Sequence, residues 1–250
     1  MKKSVLVTLS DSNFVEKTKQ LFSSVYFNSG WSGDYLLLAH DIPEKDLKWF
    51  RDKGIIIKKV KPLKKLDNSR WPNTILSKFY LFTPYFKKWK NVVYLDGDII
   101  VRCSLEELTK IKSFAAPSDG TFNIRWQFKN KWDNNRLSKE IKEKYDIKKI
   151  SFNVGIMAFS TDIIEEKMFD EIYYLYKKYS SIIRYPEQAI LNIYFYKKWK
   201  RLSNFYYVVP HLILEDVFPI IPFINKILIY KSHDSVTGIL HFSSGRKNRK

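Results

Sequence analysis

The chain is 250 residues long, enough for one large α/β domain with a substantial core, and its 45% apolar and 16% aromatic content excludes a disordered protein. Its one cysteine, Cys103, excludes an internal disulfide and a cysteine-paired zinc site, so a reducing, cytoplasmic setting is expected. A net charge of +18, from 44 Lys and Arg against 26 Asp and Glu, favours polyanions: phosphorylated ligands, anionic membrane surfaces or nucleic acid.

Met1-Lys-Lys-Ser leads into a short apolar run, Val5 to Leu9, that reads as a strand and is too short for the core of a signal peptide. Phe14 to Asn28 reads as a helix with Val15, Leu21, Phe22 and Val25 on its inner face, and Ser12 or Asn13 stands where a side chain could cap it. Tyr35 to Ala39 is a second strand. Pro43 opens a helix that Gly54 ends, and Ile55 to Val60 is a third strand. A helix over Thr74 to Phe86 precedes a fourth, buried strand, Asn91 to Leu95. Apolar runs alternating with amphipathic segments are the pattern of β-α-β units around a mainly parallel sheet. Beyond them, Ala115 to Lys131 reads as loop with short strands, and Leu137 to Tyr145 as a charged helix. Phe152 to Phe159 is another strand, followed by helices over Ile164 to Tyr179 and Glu187 to Tyr196, then short strands at Tyr206 to Val209 and Gly238 to Phe242. The longest apolar stretch, Val217 to Tyr230, is broken by Pro219, Pro222, Asn225 and Lys226 and does not read as a membrane span. There is no repeat and no Pro/Gly/Ser linker, so a single domain over residues 1–250 is expected.

The chemistry concentrates in Val92-Val-Tyr-Leu-Asp96-Gly97-Asp98-Ile-Ile-Val, where an apolar strand runs into two carboxylates one residue apart. Open α/β sheets bind their ligands at the carboxyl ends of strands. Carboxylates flanking the small Gly97 can converge on one point once the chain leaves strand geometry. Hard cations such as Mn2+ or Mg2+ take oxygen ligands, and a diphosphate readily supplies the remainder. Asp-Gly is also a common turn between strands. Two unpaired carboxylates turned inward between Leu95 and Ile99, however, would be costly without a neutralising cation.

With this motif the chain resembles the family 8 glycosyltransferases, which include glycogenin and bacterial lipopolysaccharide galactosyl- and glucosyltransferases. The likeness runs from Val7 to Lys247 in blocks that keep the family's order. It implies an α/β fold of the GT-A type, a nucleotide-diphospho-sugar transferase fold built as a single Rossmann-like domain around a central, mostly parallel sheet. About residues 1–101 would form the nucleotide-binding half, and about 102–250 the sugar and acceptor half with a basic C-terminal end. Val7-Thr-Leu-Ser-Asp-Ser-Asn-Phe14 resembles the loop that binds uracil and ribose, which implies contacts from Leu9, Asp11 and Asn13 and stacking by Phe14. Leu76-Ser-Lys78-Phe-Tyr resembles the helix whose basic residue reaches the donor, here Lys78, with Arg70 just upstream as a further basic contact. Asp96-Gly97-Asp98 resembles the metal motif, with Gly97 at the donor. Ser151-Phe-Asn153-Val-Gly155 is similar to the Asn-x-Gly strand, so Asn153 would approach the donor sugar while Gly155 permits close packing. Pro186-Glu187-Gln188-Ala-Ile-Leu-Asn192 is similar to the Asp-Gln-x-x-Leu-Asn helix start, whose acid and amide face the donor sugar. Here the acid is Glu187, one methylene longer. His241-Phe-Ser-Ser-Gly245-Arg-Lys247 resembles the closing motif, in which His241 completes the metal site and Lys247 meets the diphosphate. Its Gly stands one place late, and the usual Pro-Trp is missing.

The resemblance therefore implies a retaining, metal-dependent hexosyltransferase with a UDP-sugar donor, Mn2+ or Mg2+ on Asp96, Asp98 and His241, and a carbohydrate or glycolipid acceptor. The cation, Lys78 and Lys247 would neutralise the leaving diphosphate. Asp98, Glu187 and Gln188 are the catalytic candidates. The Gln188 amide is a poor nucleophile and is assigned to positioning the sugar, while Asp119 lies where relatives approach the acceptor. One rival is another GT-A transferase or a nucleotidyltransferase with the same acidic pair; another is an inactive relative. A basic membrane-surface or nucleic-acid binder rests only on lysines interleaved with aromatics, as in Tyr85-Phe-Lys-Lys-Trp-Lys; it lacks a recognition motif, and no nucleic-acid partner is expected. A solvated lysine-rich surface explains the same charge. A combined reading has the basic segment Phe218 to Lys250 resting on the anionic inner face of a membrane, within reach of a lipid-linked acceptor.

Overall fold

Successive side chains of a strand point to opposite faces, so an uninterrupted apolar run signals a strand covered on both sides. The computed structural model describes residues 2–63, 71–129, 136–203, 206 and 238–241. In it, β1 (Lys2–Asp11) sends Val5 and Val7 into one apolar cluster and Leu6 into another on the opposite face. α1 (Val15–Asn28), β2 (Asp34–His40), α2 (Glu44–Asp52) and β3 (Ile56–Lys59) follow. The inner face expected of α1 is buried as read, with Leu21, Phe22 and Val25 packed beside Leu47 and Phe50 of α2.

The helix expected over Thr74 to Phe86 is instead two 3-10 helices, Asn73–Phe82 and Pro84–Lys88. Pro84 makes the break between them. A residue before proline is pushed out of helical backbone, and Thr83 is extended at φ −91° and ψ 154°. β4 (Trp89–Leu95), β5 (Ile99–Arg102), β6 (Phe114–Ala116) and β7 (Ser118–Asn123) come next. A short 3-10 turn, Ile124–Gln127, leads on toward α3 (Arg136–Lys144). The single strand expected over Phe152 to Phe159 is split into β8 (Ile150–Phe152) and β9 (Ile156–Ser160), which belong to different sheets. Asn153 makes the break: its Oδ1 accepts the Gly155 amide at 2.8 Å, a local bond that competes with a continuing ladder. α4 (Met168–Tyr179) starts four residues later than expected, after a 3-10 turn whose cap is the Ser160 hydroxyl. α5 (Pro186–Tyr194), β10 (Trp199–Arg201) and β11 (Gly238–His241) complete the described elements. Of the strand expected at Tyr206 to Val209, all but Tyr206 lies outside the described residues.

Seven strands form the central sheet in the order β10-β6-β9-β4-β1-β2-β3. Every neighbouring pair is parallel except those of β9, which runs against both β4 and β6. The pairs β5–β11 and β7–β8 are small antiparallel ribbons. β1 leads to β2 on one side and has β4 on the other, so the strand order reverses between β1 and β4. That reversal opens a crevice at their carboxyl ends, where sheets of this kind take ligands. Asp11 and Asp96 stand at those two ends.

Candidate active site

β4 delivers its carboxylates through a tight turn. The Asp96 amide donates to the Gly155 carbonyl at 2.8 Å, which carries the β4–β9 pairing one residue past Leu95, and Ile99 N closes back on the Asp96 carbonyl at 3.1 Å. The reversal folds Asp98 beside Asp96 and starts β5. β11 then pairs with β5 so that His241 lies opposite Ile99. Its Nε2 stands 3.3 Å from Asp98 Oδ1 and 3.9 Å from Asp96 Oδ2. Residues 143 positions apart along the chain thus offer three ligand atoms that all lie within 4.8 Å of one another.

This donor set suits a divalent cation that prefers oxygen and imidazole ligands, and three protein ligands leave positions for the oxygens of a bound diphosphate. Gly155 keeps the space clear. A Cβ there would fall 2.5 Å from His241 Cε1, 2.9 Å from Asn153 Oδ1 and 3.0 Å from Asp96 Oδ2. Gly97 brings the turn against the end of β1 and the start of α1, since a Cβ on it would lie 3.1 Å from Thr18 Oγ1, 3.8 Å from the Leu9 carbonyl and 4.0 Å from Phe14 Cδ1.

Lys78 is 4% exposed, and its ammonium lies 2.9 Å from Asp96 Oδ1 and 3.4 Å from Glu187 Oε1. The Tyr94 hydroxyl donates to Asp96 Oδ1 at 2.6 Å. Burial pushes the Asp96 carboxyl upward, but Lys78, His241 and Tyr94 more than reverse it, and the group titrates below the ordinary carboxylate range. Burial lowers Lys78, and its two carboxylate partners outweigh that and hold it above the usual lysine value. For Glu187 burial wins over Lys78, so its carboxyl is held above its ordinary value. Tyr94 is pushed well up by burial and by Asp96, which keeps its hydroxyl a donor. The sequence offered a signal for Tyr94, a hydroxyl two residues before Asp96 and so on the same strand face.

Asp11, Asn13 and Phe14 cluster in the turn between β1 and α1. The Asn13 amide donates to Asp11 Oδ1 at 2.9 Å, and the Lys17 ammonium sits 5.0 Å from the Phe14 ring centroid. Neither Ser12 nor Asn13 caps α1. The cap position is Phe14 with no side-chain bond, because the local bond to Asp11 already closes the turn one residue earlier.

A second polar group lies on α5, β7 and the β8–β9 break. Gln188 Nε2 donates to Asp119 Oδ2 at 2.9 Å, and Asn153 Nδ2 approaches Asp119 Oδ1 at 3.5 Å. Asn192 binds both backbone groups of Phe152 at 2.9 Å, fixing β8 to α5. Burial raises the Asp119 carboxyl despite the hydrogen bonds from Asn153, Gln127, Gln188 and Ser151 that favour its charged form. Gln127 carries no signal in the sequence, where its segment reads as loop with short strands. Arg70, Gly245 and Lys247 lie outside the described residues.

The family model described as glycosyl transferase family 8 matches residues 5–247. Glycosyltransferase GlyB of Streptococcus pneumoniae serotype 4 (strain TIGR4) is 25% identical over 221 residues, covering 82% of this chain and 48% of GlyB. The chain therefore spans about half the length of that curated relative. The galactosyltransferase LgtC, solved with donor and acceptor sugar analogs, superposes with a TM-score of 0.69 at 17% identity, over 98% of this chain and 90% of LgtC. Glycosyltransferase GlyE of Streptococcus pneumoniae TIGR4 gives 0.62 at 20% identity, over 100% and 57%. The bifunctional enzyme WbbM gives 0.67 at 15%, over 98% and 46%. At these identities the superpositions speak for the fold, which is of the GT-A type. Taken with the family match over nearly the whole chain, the conclusion is that this chain belongs to glycosyl transferase family 8.

Proposed function

We propose that the chain is a metal-dependent, retaining hexosyltransferase that moves a sugar from a UDP-linked donor to a glycan or glycolipid acceptor. The observation that carries this reading is the convergence of Asp96, Asp98 and His241 at the crevice between β1 and β4. These three would hold Mn2+ or Mg2+; such an ion, when bound, supplies positive charge to a leaving diphosphate.

The chain's own residues divide the remaining work. Leu9, Asp11, Asn13 and Phe14 at the end of β1 would take the uracil and ribose, with Gly97 letting the donor approach the backbone. Lys78 holds Asp96 ionised and oriented, and Lys247, as the resemblance implies, would join it in favouring a diphosphate. Asn153, Glu187 and Gln188 would bind the sugar hydroxyls, with Glu187 reaching through its extra methylene while tied to Lys78. Asp98, Glu187 and Gln188 would touch the reacting centre, and Asp119 would face the acceptor side. Retention by front-face attack, assisted by the departing phosphate, asks the protein for positioning rather than for a strong nucleophile.

No helix among the described residues is long and apolar enough to cross a membrane. The single Cys103 is in keeping with a cytoplasmic enzyme, and a net charge of +18 is compatible with its meeting an acceptor at an anionic membrane face.

The test is a panel of nucleotide sugars incubated with Mn2+, scored for free nucleoside diphosphate and for an α-linked product, with Asp98→Asn alongside. The expected result is turnover of a UDP-sugar that falls by about 100-fold or more in the mutant. Full metal-dependent turnover by Asp98→Asn would overturn the reading.

A further inference from the structure

Gln127 is 1% exposed and carries an amide whose every polar atom is engaged. Its Nε2 donates to Ser151 Oγ at 3.0 Å and to Asp119 Oδ2 at 3.3 Å, and its Oε1 accepts from Gln188 Nε2 at 3.1 Å. Ser151 in turn donates to the Phe122 carbonyl at 3.1 Å, so its hydroxyl is oriented to accept from Gln127. This pattern fixes both amides. Flipping Gln127 would set its oxygen against the Asp119 carboxylate and its NH2 against that of Gln188. Flipping Gln188 would set its oxygen against Asp119 and against Gln127 Oε1. With Nε2 of Gln188 donating to both Asp119 and Gln127, the atom that side chain still offers is Oε1, which has one long contact, from Val154 N at 3.4 Å.

We propose that Gln127 is a positioning residue for Gln188: together with Asp119 it takes both amide hydrogens of Gln188, so that the carbonyl oxygen is what meets the donor sugar. This rests on the reading of Gln188 as a residue at that sugar. An oxygen lone pair accepts from a sugar hydroxyl and favours a centre gaining positive charge, whereas an NH2 group turned to the same place would oppose it. The backbone reinforces the arrangement. The Gln127 carbonyl accepts the Arg184 amide at 2.8 Å, which ties the 3-10 turn to the segment that opens α5 just before Glu187 and Gln188. A side-chain substitution leaves that tie in place.

The experiment uses Gln127→Met, which keeps length without hydrogen bonds, and Gln127→Glu, which keeps shape but sets a second carboxylate beside Asp119. Each is made alone and with Gln188→Ala, and thermal midpoints check folding. The expected result is a drop in kcat of about tenfold for either variant, with UDP affinity changed by less than about twofold. On the Gln188→Ala background the further loss is less than about twofold, because residues acting through one another are not additive. An equal further loss on that background overturns the proposal. A second readout is independent of turnover: the side-chain NH2 signals of Gln188, identified by their absence in Gln188→Ala, exchange slowly with solvent in the wild-type chain and rapidly in Gln127→Met. Unchanged exchange also overturns it. Absence of turnover in the wild-type chain with slow exchange present would instead reject the transferase reading and leave the locked amide standing.

Discussion

A missing methyl group shapes the cluster as much as the charged residues do. Gly155 faces His241 Cε1 and Asp96 Oδ2 so closely that alanine would force the imidazole or the carboxylate to turn away. Gly155→Ala is therefore expected to weaken divalent-metal affinity about tenfold, read by titration calorimetry, while the thermal midpoint moves little. A lowered thermal midpoint with unchanged metal affinity of the folded chain would mean that the glycine serves packing alone. Asp96 and Asp98 are legible as chemistry because charged residues rarely enter buried apolar runs without a partner, whereas Lys78 and Glu187 stand out only through the resemblance to the family. What the linear order withheld was the partnership itself. The burial of Lys78 between Asp96 and Glu187 depends on α5 packing against the 3-10 helix that carries Lys78, a contact more than a hundred residues apart along the chain. Gln127 gave no signal, since an amide in a loop-like stretch has no period and no charge.

At the level of elements, Asn192 does for β8 what a neighbouring strand would do. Its amide pairs with both the N–H and the carbonyl of Phe152 and also donates to the Gln188 carbonyl. Asn192→Leu would strand those buried groups, and equilibrium denaturation should find the protein about 2–4 kcal/mol less stable. A cost below about 0.5 kcal/mol would mean that β8 is held by packing instead. Glu140 links α3 to α4 through Lys178 and the Tyr179 hydroxyl, and it also pairs with Lys144 in its own helix. Hydrogen bonds from Lys144 and Lys178 pull its carboxyl down to about 2. A depressed carboxylate adds stability above its unfolded value, about 4.3, and loses it as pH falls through the folded value. Glu140→Gln should therefore lower the thermal midpoint by about 1–2 °C at neutral pH, with the gap closing between about pH 5 and pH 2. A gap that widened on acidification would contradict the sign. β1, β2 and β4 are readable as apolar runs buried on both faces, while β3, half-buried at the sheet edge, stands out between Gly54 and Pro62. The 3-10 helices differ from the expected α-helix because periodicity over so few turns does not separate the two, and the break at Asn153 is hidden because a short polar interruption looks like strand until its side-chain bond is seen.

Across the whole molecule, the proposed site follows from where the strand order reverses. The reversal between β1 and β4 brings the nucleotide-loop candidates to the same edge as Asp96, and the β5–β11 ribbon returns the chain's far end to that edge with His241. Composition could not foretell this. A net charge of +18 fits several partners, and the ordered blocks pointed to the fold only through their resemblance to a family. The most direct measurement is anomalous scattering from crystals grown with Mn2+ and UDP. The expected result is a single strong peak within about 2.5 Å of carboxylate oxygens of Asp96 and Asp98 and of His241 Nε2. A peak held by other residues, or none in crystals that contain UDP, would contradict the account.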